Sequence, residues 1–259
     1  MDALIFHIDP VWAMTVFLLW LRLGAFMLVN PLFSGIATLA TIRVLCALAI
    51  AAVLCMQGAR LPASLALPSP AMLPVVAAAA GEVLTGALLA FGVSSAFGVF
   101  AIAGKLIDVQ SGLGLGTVFD PVTRAGTPLF ATLLHLVAVA VFFCLDGHLA
   151  LMRGLALSVQ QVPPGTLLLD LPGDALARQF GVMFSLGVGL AAPVMFSLFM
   201  AEAALALASR ALPQMNIFAV GAPVKIAVAL GVLAATVVTL APLMGRAYES
   251  IFRFWEQVA

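Results

Sequence analysis

Charged side chains are scarce in this sequence: 11 basic and 11 acidic residues among 259, or 8%. Water-soluble domains carry about 25%, so a dispersed globular enzyme and a charge-rich disordered chain are both excluded. The formal net charge is zero, which removes any electrostatic case for nucleic acid. Cysteine is rare too. Cys46, Cys55 and Cys144 lie far apart inside apolar runs, so they form no disulfide framework or metal cluster and read as small buried hydrophobes. His7, His135 and His148 are equally scattered. No Lys or Arg precedes Arg22, so the basic start of a cleavable signal peptide is missing, and the first apolar run is expected to be retained as a helix. What is abundant is apolar: 64% hydrophobic residues, with a mean hydropathy of +1.22. This composition belongs to a membrane protein.

A helix needs about 20 apolar residues to cross the hydrocarbon core. The runs predict an all-α membrane protein with about six helices, near 11–30, 36–59, 71–104, 125–145, 179–201 and 226–245. Orientation by positive charge does not resolve. Six crossings put Arg60, Arg153, Arg178, Arg246 and Arg253 on one side, and Arg43, Lys105, Arg124, Arg210 and Lys225 on the other. Arg22 and Glu82 interrupt apolar stretches, and a charge at mid-membrane costs roughly 2.5–3.5 kcal/mol on insertion scales. Small residues such as Gly81, Gly86, Gly92, Gly98, Gly187 and Gly189 allow close helix approach. Two readings stay open, packing within the chain or packing against other chains that bury the charges. The stretch 146–178, with Pro163, Pro164, Gly165, Pro172 and Gly173, reads as turns. Trp255 and Phe252 are expected near the headgroups, on a short interfacial helix end. Arg210, Gln214, Asn216 and Lys225 surround Pro213 and are expected to make buried polar contacts. Gly221 and Pro223 are expected to delay the following helix.

The glycines of Gly112-Leu113-Gly114-Leu115-Gly116 lack the strand–turn–helix frame and the lysine of a phosphate loop. With no Ser/His/Asp set and no paired carboxylates, the sequence predicts no catalytic residue, cofactor or metal. The alternating glycines, closed by Asp120-Pro121, disfavour helix continuation. They predict a flexible, nearly uncharged loop between two long helices, with apolar bulk from Leu113, Leu115, Val118 and Phe119. Irregular backbone at membrane depth is tolerated only when buried in protein or lining a cavity. A plain connector and a pore stopper both fit.

At these residues the chain resembles FliR, a family of flagellar and type III secretion export-gate membrane proteins. The segments that carry the likeness are Gly104-Lys-Leu-Ile-Asp-Val-Gln110, Gly112-Leu-Gly, Phe119-Asp-Pro121, Asp146-Gly-His148 and Pro163-Pro-Gly165. Ser209-Arg-Ala-Leu-Pro-Gln-Met-Asn-Ile-Phe218 and Gly221-Ala-Pro-Val-Lys225 are the most specific, and Asn30-Pro31-Leu-Phe33 with Arg43 also fits. Leu39-Ala40 stands where the family usually has a proline, and Asp146 where it has asparagine. The resemblance implies kinked helical hairpins of FliP-like and FliQ-like type. It also implies a place in a hetero-oligomeric channel with FliP-like, FliQ-like and FlhB-like subunits, in the bacterial inner membrane at the flagellar basal body. Unfolded flagellar proteins would be the cargo. The loop matching Gln110–Arg124, with Gly112, Leu113, Gly114, Leu115, Gly116, Val118, Phe119 and Asp120 within it, would help close the channel. A virulence injectisome subunit is the alternative within the family. A stand-alone secondary transporter using Arg22, Glu82 and Glu202 is the alternative outside it.

Overall fold

The computed structural model describes residues 9–31, 40–56, 61, 72–113, 128–166, 173–211 and 217–258. Among these there are seven helices and no strand: α1 (Pro10–Val29), α2 (Ala40–Met56), α3 (Met72–Ser111), α4 (Leu129–Cys144), α5 (Gly147–Gln161), α6 (Gly173–Ala211) and α7 (Ile217–Val258). Four are long and apolar enough to span a membrane, or five if α4 and α5 count as one broken span. The chain is an all-α, membrane-embedded protein.

Local chemistry sets the ends of α1. The Asp9 carboxylate accepts from the Val11 N–H at 3.0 Å, and Pro10 occupies the first helical position, where its missing N–H is no loss. At the other end the Asn30 N–H closes on the Phe26 carbonyl, and Pro31 follows.

The long helices explain why the charge count was level. α3, α6 and α7 have 40, 39 and 42 residues, roughly 60 Å each and about twice the hydrocarbon core. Lys105, Arg178, Arg246 and Arg253 therefore lie within helices rather than in loops, so they do not report a side of the membrane. Pro74 sits in the first turn of α3, whereas Pro193, Pro223 and Pro242 are interior to their helices. Contrary to the sequence expectation, α7 is already helical at Ile217 and runs through Gly221 and Pro223. An interior proline lacks the N–H for one backbone hydrogen bond, and the rest of a long helix absorbs that loss.

Two compact units can be distinguished, each built from separated stretches of chain. The first comprises Met1–Ser94, Asp146–Leu176 and Phe252–Ala259; the second comprises Ser95–Leu145 and Ala177–Ile251. In the first, α1 packs on α2, and Leu19, Leu23 and Phe26 are buried with Leu89, Leu155 and Phe254. Trp255 belongs to this core and not to an interface belt. It is 5% exposed, and its indole N–H donates to the Leu89 carbonyl at 3.0 Å. Its ring lies edge-on to Phe26 and fills the space left by Gly154, where a Cβ would fall 2.7 Å from the ring's Cε3.

The same unit holds α5, a helix in a stretch whose prolines had suggested only turns. Its buried residues Leu151, Leu155, Ser158 and Val159 repeat at helical spacing. His148, Arg153 and Gln160 make the segment too polar to stand out as a spanning run. It begins at Asp146, whose φ of 53° places it in the left-handed region, which Asp and Asn tolerate better than other side chains.

The second unit is organised around aromatic rings. Tyr248 of α7 stacks on Phe100 and meets Phe97 and Phe142 at centroid distances of 5.9 and 5.6 Å. Its hydroxyl donates to the Ala138 carbonyl at 2.6 Å, which satisfies the polar end of a buried ring. Gln179 of α6 donates to the hydroxyls of Ser95 and Ser250 at 2.6 and 3.1 Å, tying α6 to α3 and α7.

Candidate functional site

The segment expected to form the loop lies in sequence between the end of α3 and the start of α4. Asp108 is 1% exposed and lies one turn before the end of α3. Its two carboxylate oxygens accept from the Phe130 and Ala131 N–H groups at 2.9 and 3.0 Å. These are among the four N–H groups that a helix start leaves without intrahelical partners. Pro128, at the N-cap of α4, makes no side-chain hydrogen bond to them. Asp108 thus caps α4 from another helix, and its negative charge suits the positive end of the α4 dipole.

Helix contact reinforces this clamp. Gly104, one turn before Asp108, lies against the Ala131 backbone, where a Cβ would fall 2.6 Å from the Ala131 nitrogen. Ser111 donates to the Asp108 carbonyl at 3.0 Å. Gly112 then leaves the helix with a φ of 89°, its N–H closing on the Val109 carbonyl at 3.2 Å. That conformation favours glycine. Gln110 donates from Nε2 to the Met195 carbonyl at 3.0 Å, two residues past Pro193 in α6. The end of α3, the start of α4 and α6 near Pro193 are thereby joined by Asp108, Gly104 and Gln110.

A second polar constellation is centred on a buried ion pair in the first unit. Arg22 and Glu82 are 1% and 0% exposed. The guanidinium donates through Nε to Glu82 Oε2 at 2.6 Å and through Nη2 to Oε1 at 3.1 Å. Its remaining reach goes to backbone: Nη1 donates to the Ser158 carbonyl at 3.2 Å, and Nη2 to Val162 at 2.9 Å. The Gly165 N–H completes the set by donating to Glu82 Oε1 at 2.7 Å. The planar fork of arginine matches a carboxylate in two parallel bonds. Both partners of this pair lie in the chain. The pair also holds the Val162–Gly165 turn that follows α5 against α1 and α3.

The other sequence candidates are placed as follows. Leu113 is half-buried just past Gly112. Gly114, Leu115, Gly116, Val118, Phe119 and Asp120 lie outside the described residues, as do Gln214 and Asn216. Arg210 is exposed in the last turn of α6, where a cation suits the helix dipole. Lys225 reaches the exposed Glu202 at 2.8 Å, a surface pair of small energetic weight. Among the described residues, Lys225 pairs with Glu202 and Arg210 stays exposed. Sequence reasoning missed Asp108, Gln110 and Gly104 as individual residues. The available signal was a helix start, Pro128-Leu129, with no capping side chain of its own, opposite an acid in an apolar run. Among the described residues no cluster of His, Cys, Asp or Glu could hold a metal ion.

Comparison with known proteins places the chain among export components. Residues 13–251 match the family described as bacterial export proteins, family 1. The chain is 31% identical over 215 residues to the flagellar biosynthetic protein FliR of Bacillus subtilis, covering 82% of this chain and 81% of that protein. It is 30% identical over 172 residues to the FliR of Escherichia coli, covering 66% of each. The secretion system apparatus protein SsaT of Salmonella typhimurium is 30% identical over 147 residues, covering 56% of this chain and 57% of SsaT. With the family pattern running through nearly every helix described above, the chain belongs to family 1 of the bacterial export proteins.

Proposed function

We propose that the chain is the FliR-type subunit of a flagellar protein-export gate in the bacterial inner membrane. In this reading it joins FliP-like, FliQ-like and FlhB-like subunits around a channel for unfolded flagellar proteins, and it makes no covalent chemistry. The observation that carries the proposal is the near full-length match to flagellar biosynthetic relatives. SsaT supports an injectisome variant of the same role, over a shorter stretch of the chain. The transporter alternative is weakened because Arg22 and Glu82 are saturated by each other and by backbone groups.

The channel-closing role falls to the loop from Gly112 to Asp120. Its residues from Gly112 to Phe119 carry no charge, and an apolar constriction resists ions by excluding water. The clamp at Asp108 and Gly104 supports this role, since a stopper needs fixed ends if its middle is to swing aside. Deleting Gly112–Gly116 is expected to leave assembly intact and make the membrane leaky to small ions. Replacing Gly112, Gly114 and Gly116 with alanine should slow secretion without a leak. Conductance and secretion are measured separately in the same strains, and an assembled deletion variant without added conductance refutes the stopper. Complementation of a flagellar FliR deletion, compared with complementation of an SsaT deletion, separates the two branches.

A further inference from the structure

Within the second unit, α6 is held unevenly along its length. Its first part is anchored. Gln179 donates to Ser95 of α3 and to Ser250 of α7, and Gly187 lies so close to α3 that a Cβ would fall 2.9 Å from Ile102 Cγ2. Past Pro193 the buried residues are Val194 and Leu198, and from Phe199 to Ala211 there is none. That distal stretch is tied instead to α7. Glu202 pairs with Lys225 at 2.8 Å, and a Cβ on Gly221 would lie 3.7 Å from Leu205 Cδ1. These ties join the two arms of the α6–α7 hairpin to each other and leave its hold on α3 unimproved.

The backbone between the anchored and the distal part is soft. Pro193 has no N–H to offer the Gly189 carbonyl, four residues earlier, and Gly189 is the residue type with the widest backbone freedom. Ser197 turns its hydroxyl back onto the Pro193 carbonyl at 2.9 Å, a contact that competes with the helical ladder and loosens it. The other arm has the same device. In α7, Thr236 and Thr239 donate back to the Val232 and Thr236 carbonyls, each at 2.7 Å, just before Pro242.

One side chain bridges this soft point. Gln110, in the last turn of α3, donates to the Met195 carbonyl at 3.0 Å. Its Oε1 is buried, and no donor among the described residues reaches it. The bond made by Nε2 is thus offset by a buried oxygen that lacks one, so the link holds and costs little to break. Val194 sits beside the pivot and hardly moves in a swing, which leaves Leu198 as the apolar contact that Gln110 supplements. We infer that Gln110 is a latch: it holds the distal part of the α6–α7 hairpin against α3, and its release lets that part swing about Gly189–Pro193. The motion is internal to the chain and holds whether or not the chain serves in export.

The test is the distance between nitroxide pairs on the purified full chain, in a background lacking the natural cysteines. A label at Lys105→Cys is paired with one at Leu207→Cys, or with one at Phe184→Cys in the anchored part; all three positions are exposed. Leu207 lies about 21 Å past Pro193 at 1.5 Å per residue. A swing of about 20°, the size of a proline kink, therefore moves it by about 7 Å. Gln110→Met, similar in size but without a donor, should lengthen the 105–207 distance by about that amount and leave the 105–184 distance as in the parent. Adding Gly189→Ala and Pro193→Ala restores a backbone donor and stiffens the pivot, at a position where a Cβ on Gly189 meets only Leu243 at 4.0 Å. That combination should return the 105–207 distance to its parent value. An unchanged 105–207 distance in Gln110→Met overturns the latch. Equal shifts in both pairs, which report lost packing, overturn it too, and so does a shift that survives the stiffened pivot.

Discussion

At the residue scale the buried Arg22–Glu82 pair governs how the first unit tolerates change. Removing one partner strands the other charge, which costs about 3–5 kcal/mol. Glu82→Gln is therefore expected to lower the chain's melting temperature in detergent strongly and to expose the Val162–Gly165 turn to protease. The double variant Arg22→Met with Glu82→Leu should recover part of that loss and not all of it. Apolar replacements remove both charges, but the Val162 carbonyl and the Gly165 N–H lose these partners, while the Ser158 carbonyl keeps only the Val162 N–H, and an unsatisfied buried group costs about 1–3 kcal/mol. Full recovery in the double variant would show that those backbone groups find water. The pair itself was only half legible in sequence. Two charges in apolar runs signal that each needs a partner, but 60 residues separate them, and no local rule connects positions that far apart.

At the element scale, the α3–α4 stem determines whether the loop between them has fixed ends. Asp108→Ala orphans the Phe130 and Ala131 N–H groups, and Gly104→Ala forces α3 and α4 apart at Ala131. Either change is expected to raise ion conductance of the assembled gate with the loop sequence left intact. Amide exchange at Phe130 and Ala131 should rise in step in Asp108→Ala. Faster exchange without any leak would separate the stem from closure. The positions of these helices were readable, because apolar run length and the Asp9-Pro10 type of boundary are local properties. The cap was not, since Asp108 serves a helix that begins 21 residues later, and its role depends on how α3 and α4 cross. α5 was hidden for the opposite reason. Its buried stripe is narrow, and its polar face masked the helical period behind neighbouring prolines.

On the scale of the whole molecule, burial is uneven in a way that points outward. In α3, 67% of the most apolar stretch is buried within the chain, against 28% in α6 and 17% in the last helix. Phe180, Phe184, Phe196 and Phe199 of α6 are all more than half exposed. A membrane protein can turn such faces to lipid or to other subunits. If the proposed assembly is correct, co-expression with FliP-like and FliQ-like subunits should raise yield and protease resistance. A cysteine placed at Phe196 should then become protected from a membrane-permeant thiol reagent, when compared in a background lacking the natural cysteines. Equal labelling with and without the partners would mean that this face meets lipid alone.

Composition by itself determined that this chain is a helical membrane protein, because in a hydrocarbon solvent only helices or closed barrels satisfy every backbone polar group. Run lengths located most of the helices, and the motif order located the family. Tertiary structure alone decided which charges are neutralised inside the chain, that Trp255 fills a core slot beside Gly154, and that one carboxylate holds both ends of the loop. Those outcomes depend on which helix faces meet. Nearly every face here is apolar, so the hydrophobic pattern that reveals a buried side in soluble proteins carries little information, and only close-packed geometry and the few polar groups that must find partners distinguish one helix neighbour from another.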